Sequence, residues 1–194
     1  MKDKIYLDFD RTLFDTDTFI IDLFKVLNKK IDLSLFQKYY EEEKNKGFNP
    51  YHILKIIETK EKINTKDLIK DLDVFMNNLD KYIYPDTIPF LKKIKKKYEI
   101  NLFTYGDSSF QKMKVTHTKI NDYIDNYMDT LSSKGENKKI DYASSIFIDD
   151  NPMVVDSIIG AKKVIRIRRK HAKYSDLNTK RKVIEVDSLE KVTI

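Results

Sequence analysis

Apolar residues along the chain fall into two rhythms. Short continuous runs read as strands buried on both faces: "IYLDF" (5–9), "EINLFTY" (99–105), "SSIFID" (144–149) and "KVIRI" (163–167). "NYMDTL" (126–131) and "VIEVD" (183–187) are weaker members of the set. Helical spacing appears between the later runs. Residues 108–119 follow Asp107, a good N-cap, and 152–159 open with Asn151-Pro152 and stop before Gly160. Strands alternating with helices predict an α/β fold, a Rossmann-like parallel sheet with helices on both faces.

Residues 18–83 carry only the helical rhythm. Ile20, Leu23, Phe24 and Leu27 repeat at i, i+3, i+4, i+7, and Leu35, Phe36, Tyr39 and Tyr40 form a second stripe behind Ser34 as a cap. A third helix starts at Asn49-Pro50, and Leu68, Leu72, Phe75, Met76 and Leu79 mark a fourth after Thr65. An all-helical cap is therefore expected at 18–83, inserted into a core domain made of 1–17 and 84–194. Pro85 resumes the α/β pattern, with a helix near 87–97.

Open α/β sheets bind ligands outside the carboxyl ends of their strands. The first strand runs into Asp8-Phe9-Asp10 with Thr12 close behind, the second into Thr104-Tyr105-Gly106-Asp107, the third into Asp149-Asp150-Asn151. Carboxylates gathered at one buried edge repel unless something compensates them. With oxygen donors converging and few histidines, the compensating ion expected is hard and oxygen-seeking, with Mg²⁺ the usual choice. Mg²⁺ beside hydroxyl, backbone N–H and lysine groups is the apparatus of phosphoryl transfer. A single Asp after a strand is ordinary turn or cap chemistry, and Asp15 and Asp17 are read that way.

Composition narrows this further. The 194 residues contain no cysteine, which excludes disulfides, thiolate zinc sites and cysteine nucleophiles. The opening "MKDKIYLDFD" lacks a signal peptide's apolar core, and no apolar run is long enough to span a bilayer, so a cytoplasmic protein without membrane contact is expected. The net charge of +6 is uneven. Residues 162–182 hold ten Lys/Arg and one Asp, leaving 27 basic and 30 acidic residues elsewhere. Such a segment is either a solvated surface or a seat for nucleic acid.

The ordered motifs resemble those of the haloacid dehalogenase (HAD) superfamily. "LDFDRTLFDT" is similar to its first motif, "NLFTYGD" to its second and "IFIDDNP" to its fourth, and the helical insert resembles its C1-type cap. The resemblance implies a Mg²⁺-dependent phosphatase. Asp8 would be the nucleophile that becomes phosphorylated, and Asp10 the acid/base. Thr104, Tyr105 and a lysine would hold the phosphate. Asp8, Asp149 and Asp10, the last through its main-chain carbonyl, would hold the metal, with Asp150 behind them. The lysine is Lys134, directly after a strand end, or else Lys138 or Lys139. Arg11 stands where many relatives have a small residue.

The expected substrate is a small phosphorylated metabolite or nucleotide closed over by the cap. Phe48, Tyr51 and His52 are candidates for aromatic contact with it, although Tyr51 is read first as a core residue. The alternative is a protein that binds nucleic acid or processes its ends through 162–182. A response-regulator receiver also combines acids, a Thr and a Lys, but it leaves no place for a helical insert after the first strand. The oligomeric state is open.

Overall fold

In a computed structural model describing residues 2–194, six strands form one sheet in the order β3-β2-β1-β4-β5-β6, with every neighbouring pair parallel. The strands are β1 (Asp3–Leu7), β2 (Tyr98–Tyr105), β3 (Asn126–Thr130), β4 (Ser145–Asp149), β5 (Lys163–Ile167) and β6 (Ile184–Val186). All six match apolar runs legible in the sequence. The order reverses between β1 and β4, so the crevice at their carboxyl ends is the switch point where such sheets take ligands. Leu7 pairs with Ile148, and the Asp8 amide donates to the Ile148 carbonyl, which sets Asp8 beside Asp149.

Side-chain alternation divides the sheet into two covered faces. Ile5, Leu7, Ile100, Leu102, Ile146, Ile148, Ile165 and Ile167 enter the larger core with the helices α1 (Thr16–Leu27), α2 (Leu33–Glu43), α3 (Pro50–Glu61), α4 (Lys66–Met76), α5 (Thr87–Ile94) and α6 (Ser108–His117). Tyr6, Phe103 and Phe147 face the other way, against Ile140, Ile158 and α7 (Pro152–Ser157). Both faces being dry explains why the strands read as unbroken apolar runs.

Helices α1–α4 occupy the stretch expected to be helical. The chain leaves and re-enters the sheet side by side: Phe14 bridges Ile83, the Asp15 amide donates to the Tyr82 carbonyl and the Tyr84 amide to the Leu13 carbonyl. Asp15 caps α1, Asn49 caps α3 with Pro50 at its first position, and Asp107 caps α6, as the sequence suggested. Helix α2 differs. Its cap is Asp32, whose carboxylate accepts from the Ser34 amide, so Ser34 lies inside the helix. Helix α4 stops at Met76, three residues short of Leu79.

The arginines of the basic segment are tied into the fold, while Lys162, Lys170, Lys173, Lys180 and Lys182 are exposed. Arg166 is fully buried and donates to the carbonyls of Asp150 and Tyr174 and to Glu185. Arg181 donates to the carbonyls of Val155 and Ile158, and Arg168 to Ser175 and Glu185. Arg169 makes a two-pronged pair with Asp86 at 2.6 and 2.8 Å, reaches the Thr12 carbonyl, and lies 4.0 Å from the centroid of the Tyr84 ring. That clamp joins the loop after β1 to α5 and to the C-terminal tail, since Asp86 also accepts from the Leu189 amide. Asp86→Ala leaves a buried guanidinium uncompensated, and a loss of about 3–5 kcal/mol is expected in a denaturant titration.

Candidate active site

Strand β1 ends at Leu7, so Asp8 and Asp10 sit on the loop that leaves it. Three elements converge there. From β4 come Asp149 and Asp150; from the short helical turn Lys134–Glu136, after β3, comes Lys134; from α6 come Gln111 and Lys114. They line a cavity of about 770 Å³, with α1, α2 and the loop at Gly47 and Phe48 on its far side.

Asp8, Asp149 and Asp150 are buried, and one carboxylate oxygen from each lies within 4.8 Å of the others. Lys134 is 3% exposed, so its ammonium is sunk among these acids, donating to Asp8 Oδ1 at 2.5 Å and to Asp149 Oδ2 at 2.8 Å. Lys138 and Lys139 are exposed, so Lys134 alone of the three lysines joins the acids. Burial pushes the Asp8 carboxyl up to about 7; Lys134 opposes this, while Asp149 and Asp10 add to it. Burial also lifts Asp150 well above the usual carboxylate range, helped by Asp8 and Asp149 and opposed by Arg11 and Lys134. Burial disfavours the Lys134 ammonium, but Asp149 and Asp8 outweigh it and hold its proton more tightly than usual. Asp150 Oδ2 is buried without a hydrogen-bond partner.

Asp10 belongs to a different constellation. Its carboxylate accepts from Lys114 at 2.6 Å, from the Thr16 hydroxyl at 2.6 Å and from Gln111 at 2.8 Å. Burial works against its charge, yet Lys114 and these three hydrogen bonds hold its carboxyl below the usual range. Three donors thus hold the Asp10 side chain, expected to serve as acid/base, apart from the buried trio, and Asp150, expected behind the metal, stands with Asp8 and Asp149. Any part for Asp10 in holding a cation falls to its main-chain carbonyl. Lys114 is itself 3% exposed, and its ammonium lies 5.3–5.9 Å from the centroids of Phe9, Phe14, Phe19 and Phe110, an aromatic box that stabilises a desolvated cation.

Lys114, Gln111 and Thr16 were not foreseen. A faint signal existed: Gln111 and Lys114 are three apart on α6, on the face that also buries Phe110 and Val115. Thr104 is wholly buried at the end of β2 and does not line the cavity, and its hydroxyl has no partner. Tyr105, expected with it at the phosphate, lines the cavity wall at 51% exposure. Of the aromatic candidates only Phe48 reaches the cavity; Tyr51 donates to Asp73, and His52 meets Glu43. Arg11 has φ 61°, a left-handed conformation that a side chain resists and glycine accepts freely. Its guanidinium is tied to Asp17 at 2.8 Å and lies 5.5 Å from the centroid of the Tyr174 ring.

The cavity's helical wall is latched to its floor. Asn49 donates to Asp107, so the caps of α3 and α6 are hydrogen-bonded to each other. Gly47, at φ 84°, packs so closely that a Cβ there would stand 2.3 Å from the Asp107 backbone nitrogen. Gly47→Ala is therefore expected to destabilise the protein by more than the ~1 kcal/mol that a strained φ alone carries, lowering the thermal midpoint.

The family model of haloacid dehalogenase-like hydrolases matches residues 5–164. No functionally curated protein matches the chain. Among solved structures, a haloacid dehalogenase-like hydrolase from Burkholderia xenovorans LB400 is similar with a TM-score of 0.78 at 15% identity, over 97% of this chain and 94% of that one. L-2-haloacid dehalogenase from Xanthobacter autotrophicus, with chloropropionic acid covalently bound, is similar at TM-score 0.61 and 12% identity, over 97% and 96%. The HAD-hydrolase YfnB from Bacillus subtilis, bound to magnesium, follows at 0.57 and 10%, again over 97% and 96%.

Proposed function

The chain belongs to the haloacid dehalogenase-like hydrolase family, and we propose that this hydrolase cleaves phosphate monoesters through a phosphorylated Asp8. The observation that carries the reading is the buried trio Asp8, Asp149 and Asp150, with Asp150 Oδ2 unpartnered. Its donors are all oxygen, its negative charge exceeds what Lys134 compensates, and its oxygens are close enough to share one small ion. These residues fit Mg²⁺. Asp8, Asp149 and Asp150, with the main-chain carbonyl of Asp10, would hold it. When bound it supplies positive charge to the oxygens of the transferring phosphoryl group.

The chain's own residues divide the reaction into two displacements. The Asp8 carboxylate attacks phosphorus, the P–O ester bond breaks, and Asp10 in its protonated form gives its proton to the leaving oxygen. Asp10, now a carboxylate, takes a proton from water as that water attacks the phosphoaspartate, which releases phosphate and restores Asp8. Lys134, already against Asp8, compensates charge on the phosphoryl oxygens. The ion pair with Lys114 favours the carboxylate form of Asp10, which suits the second step. The first step requires Asp10 to carry a proton, against the pull of that pair.

Dehalogenation also uses an attacking carboxylate, and relatives with that activity share the fold. It expels halide from carbon, a leaving group that needs no proton, and it gives a trio of acids that fits a cation no work. Purified protein is expected to release phosphate from p-nitrophenyl phosphate with Mg²⁺ and to stop with chelator. Halide release from 2-chloropropionate without phosphate release from any ester overturns the proposal. The nucleic-acid alternative has weaker support, because all four arginines of 162–182 donate to groups within this chain.

A further inference from the structure

We infer that the ester this site accepts carries a flat aromatic or heteroaromatic body, not an open or cyclic sugar alone; this rests on the phosphatase reading above. The acids lining the cavity are Asp8, Asp10, Asp149 and Asp150, and all four belong to its floor. Above them the wall changes character. Phe24 of α1, Tyr40 of α2 and Phe48 line the helical side. Tyr105 ends β2 and Tyr174 follows β5, strands that flank the β1–β4 switch point on opposite sides. Rings therefore reach the cavity from three directions, and Tyr40 and Phe48 already meet edge-to-face at 5.4 Å.

The polarity of the upper cavity points the same way. Sugar hydroxyls need a matching set of acceptors, usually carboxylates and amides, and one left unpaired on burial costs about 1–3 kcal/mol. Above the floor the carboxylates are absent and the one amide on the helical side is Gln37. The charged groups there are Lys44 and Lys173, while Arg11, beside the floor, is already paired with Asp17. A planar ring instead gains from stacking and edge contacts with several aromatic partners, and tolerates or welcomes nearby cations. The volume, about 770 Å³, is in the range of sites that enclose a cofactor-sized molecule. The chemistry common to such substrates is a phosphomonoester on a short tether from a ring. A nucleoside 5′-monophosphate and a phosphorylated vitamin ring both satisfy it.

The test is steady-state kinetics of the full chain with Mg²⁺ on five esters: pyridoxal 5′-phosphate, adenosine 5′-monophosphate, flavin mononucleotide, ribose 5-phosphate and glucose 6-phosphate, with acetyl phosphate as a bodiless reference. At least one ring ester is expected to exceed both sugar phosphates in kcat/KM by tenfold or more, and the ranking among the three identifies the kind of ring. Phe24→Ala and Tyr40→Ala, made separately in case one impairs folding, are each expected to lower the ratio of ring-ester to acetyl-phosphate kcat/KM about tenfold, mainly through KM. Sugar phosphates equal to or better than every ring ester would overturn this inference and leave the phosphatase reading standing. So would an unchanged ratio in both folded variants. Failure on all six compounds, acetyl phosphate included, would remove the phosphatase reading and this inference with it.

Discussion

Asp8→Asn is expected to lower kcat for p-nitrophenyl phosphate on the order of 10⁴-fold or more, measured with saturating Mg²⁺. The substitution keeps the size and shape of the side chain and removes its charge. The amide oxygen is a poor nucleophile toward phosphorus and forms no stable phosphorylated product, so the first displacement has no substitute path within the site. Phosphate monoester hydrolysis without a catalyst is among the slowest of reactions, and little remains once the attacking group is lost. The neighbours do not rescue it. Asp149 is held by Lys134 at 2.8 Å, and Asp10 is engaged by Lys114, Thr16 and Gln111. Asp10→Asn, by contrast, removes only proton transfer and is expected to cost about 10²–10⁴-fold, so the two variants rank. Acid-quenched wild-type enzyme should carry phosphate on the peptide containing Asp8. A rate for Asp8→Asn within tenfold of wild type would place the nucleophile elsewhere.

The legible parts of this molecule are those in which local chemistry and global placement agree. Strands β1, β2, β4 and β5 are covered on both faces, so each printed an unbroken apolar run. Asn49-Pro50 and Asn151-Pro152 announced α3 and α7 because cap and fixed φ reinforce each other. Asp8, Asp149 and Lys134 were legible because the carboxyl edge of a parallel sheet concentrates the chemistry at strand ends. Side-chain direction beyond the strand was not legible. Asp10 lies two residues from Asp8, and reading chemistry at the strand's end gathered both at one buried edge. But β1 stops at Leu7, and the loop gives Asp10 to donors on α1 and α6 that lie far along the chain. Lys114 could not be told from surface lysines in a lysine-rich sequence, since what marks it is an aromatic box assembled from Phe9, Phe14, Phe19 and Phe110. The basic segment was legible only in part: its exposed lysines are the solvated run that a string of charge suggests, whereas Arg166 and Arg169 are internal struts.

Metal-free protein is expected to lose stability as pH rises from about 4 to about 7, and Mg²⁺ is expected to restore it. The folded state holds the Asp8 carboxyl at about 7 against an ordinary 3.8. Between those values the native protein keeps a proton that the unfolded chain has released, so the native state binds more protons and stability falls with pH. Asp150, raised by the same burial, acts with the same sign. Asp10 acts oppositely but elsewhere: its carboxyl is held below 3.8, so its contribution is complete above that value and is lost only in stronger acid. Lys134 is raised above 10.5, so its contribution is fully present throughout the window and is lost only as pH climbs beyond its folded pKa. The net slope between 4 and 7 is therefore set by the crowded acids. A divalent ion binds their ionised form in the folded state alone, and at a hundred times its dissociation constant it adds about 2.7 kcal/mol. Denaturant melts at pH 5 and pH 8, with Mg²⁺ or with chelator, separate these contributions. With chelator the midpoint should drop at pH 8, with Mg²⁺ the drop should shrink, and in Asp8→Asn, already neutral at that position, the pH slope should flatten. A metal-free midpoint that stays level or rises over the same interval would mean that the trio is ionised and satisfied without an ion. The excess charge of Asp8, Asp149 and Asp150 would then no longer argue for Mg²⁺ at this site.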